Sequence, residues 1–116
     1  MKNFGSAFCR FLEMVLSFGL RTMQQANPDA GDRNTSDSDG KGVWIANGQK
    51  IKGKWVEVTA DRVSRRFAGR GELSFDIVVE GHRFSGPSVF RFYDVDDKLV
   101  EGPINTSLSA ERVTLP

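Results

Sequence analysis

Cysteine and histidine are almost absent: Cys9 and His82 stand alone in 116 residues. A single thiol forms no internal disulfide, so a reducing, cytoplasmic compartment is expected. One His and one Cys far apart do not complete a zinc site, and no metal or other cofactor is expected. Neither sign of charge dominates. The 16 Lys and Arg stand against 15 Asp and Glu, a net charge of +1. That argues against a chain adapted as a whole to nucleic acid or to an anionic membrane. Long apolar runs are lacking too. The stretch 11–20 is interrupted by Glu13 and falls short of the ~20 residues that span a bilayer. No small-x-small cleavage pattern follows it, so no signal peptide, lipid anchor or transmembrane segment is expected.

Several catalytic signatures are missing as well. No Gly-Lys-Ser/Thr occurs, and no serine sits in a nucleophile elbow. The stretch Asp37-Ser38-Asp39-Gly40 resembles the middle of a calcium loop, but Thr35 and Ala46 occupy the first and twelfth ligand positions. His82 follows Glu80 by two residues, the spacing of a carboxylate-oriented base on a strand. Gly81 between them marks a turn instead, so His82 is expected to be dispensable. Asp94, Asp96 and Asp97 read as turn residues before they read as cation ligands.

What the chain does have is aromatic mass, with nine Phe and two Trp. Each buried ring removes roughly 150–250 Å² from water, enough to build a core in a chain of this size. Three zones are visible. Residues 1–26 are apolar-rich, with Arg10, Glu13, Ser17, Arg21 and Gln24 at steps of three and four. That spacing predicts an amphipathic helix over 6–25 with a narrow polar stripe. The apolar residues left over, Phe4, Phe8, Phe18 and Leu20, predict a homodimer formed through the helix. Membrane binding by this segment is not expected, because its stripe offers only Arg10 and Arg21, offset by Glu13. Residues 27–42 hold no large apolar side chain and read as a polar linker.

Residues 43–116 alternate like strands. Val43 to Lys52 reads as a hairpin turning at Asn47-Gly48, with Trp44 opposite Ile51. Further strands are predicted at 55–59, 62–67, 72–79, 89–95, 104–108 and 112–115. Trp44, Trp55, Leu73, Phe75 and Ile77 are predicted core. The fold class is therefore mainly β: a small antiparallel barrel or strongly curled sheet of about six to seven strands with one N-terminal amphipathic helix. Gly53 and Trp55 resemble the opening of lipocalin barrels; the likeness covers those two residues and implies no ligand or residue role.

Charge is unevenly placed. Lys50, Lys52, Lys54, Arg62, Arg65, Arg66 and Arg70 face only Glu57 and Asp61 in the same stretch. Basic strands beside aromatic side chains are how small barrels hold single-stranded nucleic acid. Three functional readings follow. The first is a non-enzymatic binding or protein-interaction module that self-associates through the N-terminal helix. The second is a nucleic-acid-binding barrel using the seven basic residues. The third is a small-ligand carrier or small enzyme with a pocket between helix and sheet.

Overall fold

Alternation decides the architecture. Over 73–79 the large apolar residues recur at every second position, and in the fold Leu73, Phe75 and Ile77 are buried while Asp76 is exposed. The computed structural model describes residues 5–9, 14–18, 21–26 and 34–112; for 5–9 and 14–18 the description is of backbone pairing alone. Nine strands lie in these segments: β1 (Gly5–Cys9), β2 (Met14–Phe18), β3 (Thr22–Ala26), β4 (Thr35–Asp37), β5 (Gly40–Asn47), β6 (Lys50–Asp61), β7 (Phe67–Glu80), β8 (Arg83–Tyr93) and β9 (Leu99–Arg112). The protein is mainly β and its pairings are all antiparallel.

Seven strands, β3 to β9, form one meandering sheet. β3 pairs with β5, β5 with β6, β6 with β7, β7 with β8 and β8 with β9. β4 pairs with the C-terminal end of β6, along the edge that β5 occupies further back. By themselves these seven do not close, since β3 and β9 do not pair. β1 pairs with β9 and with β2, and β2 pairs with β3.

The core lies on one face of this sheet. Trp44, Ile51, Trp55, Leu73, Phe75, Ile77, Phe84, Leu108, Ala110 and Met23 form one buried cluster. All five residues predicted as core belong to it. Glycines make the rings fit: Trp44 is opposite Gly53, Trp55 opposite Gly42, and Phe75 opposite Gly53 from the other side. A methyl group on Gly42 would overlap the Lys54 carbonyl oxygen, so no side chain is tolerated there without moving backbone. Trp55 and Phe75 meet at a centroid distance of 5.8 Å with their planes tilted by 47°, a favourable geometry for two rings. Among the described residues no buried side-chain nitrogen or oxygen lacks a hydrogen-bond partner.

The predicted N-terminal helix is not found. Among the described residues there is no helix, and the segment contributes β1, β2 and β3. In β3 the burial alternates, with Met23 and Gln25 inside and Thr22, Gln24 and Ala26 outside. That is the two-residue period of a strand. A stretch that is apolar nearly all round has no period that separates helix from strand. The unpaired edges of β5 and β9 supply what the local pattern lacks, because an open edge leaves a row of backbone donors and acceptors without partners. Within the predicted linker, 35–37 and 40–42 are strand, and 27–33 lie outside the described residues.

Two turns are displaced from their predicted places. The first hairpin turns at Gly48-Gln49, which puts Ala46 opposite Ile51 and Trp44 opposite Gly53. Gly48 has φ 62°, and Gln49 has no positive φ, the pattern of a type II′ turn with glycine first. The register moves by two residues, so the inward and outward faces are those predicted. The predicted strand 62–67 is mostly turn: β6 runs on to Asp61, and 62–64 turn before β7 begins at Phe67.

Candidate functional site

The inward face of β6 does not stay apolar. After Ile51, Gly53 and Trp55 the same parity brings Glu57 and Thr59. The cross-strand register carries this row onward: Glu57 is opposite Gly71, Gly71 opposite Phe92, and Phe92 opposite Glu101. Gly71 has no side chain, and the Phe90 ring takes the space above it: a methyl group there would stand 3.0 Å from Phe90 Cε2. On the other edge of β6, Asp37 is opposite Thr59. The result is a cleft of about 290 Å³ lined by Thr35, Asp37, Glu57, Thr59, Gly71, Phe90, Phe92 and Glu101. It lies at the end of the sheet that also carries the 62–66 turn and the turn between β8 and β9.

The polar groups of the cleft are positioned by named bonds. The Trp55 indole N–H donates to Glu57 Oε1 at 2.9 Å. The Thr59 hydroxyl donates to Asp37 Oδ1 at 2.6 Å. Phe90 and Phe92 are half-buried, and Glu101 is exposed at the rim. Three carboxylates and two aromatic rings therefore border one hollow. Among the described residues no group of three or more His, Cys, Asp and Glu could hold a metal ion, so these carboxylates line the space without converging on a point. From the sequence Thr35 and Asp37 enter only in rejecting a calcium loop and Glu57 only as a counter-charge, and nothing there joins them to Phe90, Phe92 and Glu101. The available signal was Glu57 in phase with Trp55, a carboxylate at an inward strand position.

The seven basic residues fall in two places, the outward face of the β6–β7 pair and the 62–66 turn. Lys50, Lys52 and Lys54 share the outward face of β6. An outer cleft of about 340 Å³, larger than the inner one, brings Lys50 and Lys52 together with Ile45, Asn47 and Asp76. β7 answers the lysines with acids: Lys52 Nζ lies 3.9 Å from Asp76, and Lys54 Nζ 3.2 Å from Glu72. Arg70 lies 3.5 Å from Glu72, is paired with Asp97, and stacks over the Tyr93 ring at 4.3 Å. The Asp97 hydrogen bond raises the pKa of Arg70 further. Arg62, Arg65 and Arg66 stand apart on the 62–66 turn, so the seven basic residues do not line one groove.

That turn is tightly organised. Asp61 Oδ1 accepts the Val63 and Ser64 N–H groups at 2.9 and 2.7 Å. The Asp61 carbonyl accepts the Arg65 N–H, and the Asp61 N–H donates to the Arg66 carbonyl. The Ser64 N–H, ahead of that of Val63, holds the Asp61 carboxyl below its ordinary pKa of 3.8. Arg62 Nε donates to the Thr35 carbonyl at 2.8 Å.

His82 is exposed in the two-residue turn between β7 and β8, where its carbonyl accepts the Arg112 N–H. Asp94 Oδ1 accepts the Asp96 and Lys98 N–H groups, the turn role expected of it. Phe8 and Phe18 fall on β1 and β2, opposite Val15 and Gly5; Phe4 and Leu20 lie outside the described residues. Phe8 and Phe18 therefore lie on strands, not on the helix face expected to carry the dimer. Among the described residues no helix is long and apolar enough to cross a membrane. No family model matches the chain, and no curated protein or solved structure does either.

Proposed function

We propose that this chain is a non-enzymatic binding module, a small barrel whose β1 and β2 bridge β3 to β9, and whose cleft takes a small organic cation. The observation that carries the reading is the row Glu57, Gly71, Phe92, Glu101, continued by Asp37 beyond Thr59. A cleft bordered by carboxylates and aromatic rings gives a positive charge both Coulombic and cation–π partners. A volume near 290 Å³ sits at the lower end of the ~300–1,000 Å³ of small-molecule sites, which limits the ligand to the size of a simple amine or quaternary ammonium. Self-association through an N-terminal helix is no part of this reading.

Calorimetric titration of the full-length protein with tetramethylammonium and protonated alkylamines tests it, with matched neutral alcohols and carboxylates as controls. The cations should bind saturably and the controls should not. Glu101→Gln should weaken binding by about 1 kcal/mol, the upper range for an exposed ion pair. Phe92→Leu should cost a similar ~1 kcal/mol by removing a ring face. Equal binding of carboxylates, or indifference to both substitutions, would reject the cleft as the site.

A further inference from the structure

The most exposed large apolar side chain among the described residues is Val63, at 88%. It sits at the tip of the 62–66 turn, between Arg62 on one side and Arg65 and Arg66 on the other. Phe67, 51% exposed, stands at the base of the turn. The only acid in the turn is Asp61, and its Oδ1 is occupied by two backbone N–H groups of the turn itself. Those bonds, with the Arg65 and Arg66 backbone bonds to Asp61, hold the tip in one shape before any partner arrives. Arg65 takes a left-handed φ of 60° there. Neither Arg65 nor Arg66 makes an ion pair among the described residues, in contrast to Lys52, Lys54 and Arg70.

We propose that the 62–66 turn docks this protein reversibly on an anionic lipid surface, with Val63 entering the headgroup layer and the arginines on lipid phosphates and carboxylates. An aliphatic tip ringed by cations matches the two parts of such a surface, an anionic exterior over an apolar interior. Single-stranded nucleic acid is the poorer fit. It requires flat faces on which successive bases stack, and here the single ring, Phe67, stands at the base of the turn while the foremost side chain is the branched aliphatic Val63. Guanidinium groups satisfy phosphate and carboxylate oxygens in a planar, two-pronged fashion, which suits a lipid headgroup. The surface is distinct from the N-terminal segment and from the cleft, and does not depend on the cleft holding a ligand.

The test is co-sedimentation of the full-length protein with vesicles of phosphatidylcholine alone and of phosphatidylcholine with roughly a third phosphatidylserine. The protein should bind the anionic vesicles and not the neutral ones, and lose that binding as salt rises. The double substitution R65E/R66E should weaken binding more than tenfold, and Val63→Ser, which leaves charge unchanged, by about threefold. Far-ultraviolet circular dichroism should be unchanged in both variants. A failure to bind anionic vesicles would overturn the proposal, as would Val63→Ser binding like the parent. Fluorescence anisotropy with a single-stranded oligonucleotide completes the test. Tighter binding there than to vesicles, through the same arginines, would also overturn it and would make the turn a nucleic-acid contact.

Discussion

A ring opposite a glycine is the unit from which this interior is assembled. Phe75 is the clearest case, 4% exposed, lying over Gly53 and against Trp55. Phe75→Ala should cost ~3–5 kcal/mol in denaturant unfolding, the sum of lost burial and a residual cavity. The converse substitution is expected to be harmful as well. Gly42→Ala adds one methyl where the Lys54 carbonyl already stands, so it should cost about 1–3 kcal/mol although it enlarges apolar surface. A loss under ~1 kcal/mol in either variant would mean that the ring-and-glycine packing is misplaced. This level was partly legible in the sequence. The alternation around Phe75 named the inward residues, while the glycines facing them could be recognised only once the register was known.

Elements were legible where one face is buried and the other wet, and illegible elsewhere. Strand β7 announces itself through Leu73, Phe75 and Ile77. The N-terminal segment, apolar at most positions, does not, and it takes strand conformation in the setting of two sheet edges that need partners. The first hairpin shows a finer limit. Asn47-Gly48 is a strong turn signal, yet Gly48 takes the first central position and Asn47 pairs with Lys50. The two placements predict different mutational outcomes. Gly48→Ala should destabilise by ~1–2 kcal/mol, because an L side chain pays that to sit left-handed, and Asn47→Ala should be close to neutral. Comparable losses from both would place the turn at Asn47-Gly48 after all. The 62–66 turn makes a pH prediction. The folded pKa of Asp61 is lowered, so its contribution to stability is present above the unfolded carboxylate pKa near 3.8 and is lost as pH falls through the folded value. Unfolding midpoints measured from pH 6 to about 2 should therefore fall less steeply in Asp61→Asn, whose amide oxygen still accepts the same N–H groups; identical slopes would deny Asp61 that role.

At the scale of the whole molecule, outer wall and inner end divide the chemistry. On the outer wall of β6 and β7 basic side chains meet acids across the ladder, which is how a segment rich in lysine and arginine sits in a chain of net charge +1. At the inner end, Asp37, Glu57 and Glu101 border one cleft together with Phe90 and Phe92, and that meeting of carboxylates and rings is the reason the cleft is read as a binding site. The two tryptophans give the claim an internal control. The Trp55 indole N–H is bonded to Glu57 in the cleft, and the Trp44 indole N–H to the Thr22 carbonyl, away from it. The most direct measurement is a nitrogen–proton correlation spectrum of the full-length protein during titration with tetramethylammonium. The Trp55 indole and Gly71 amide signals should shift saturably together, the Trp44 indole should stay in place, and the shifts should weaken in Glu101→Gln. Signals of Trp55 and Gly71 that do not move, or that move no more than that of Trp44, would contradict the account.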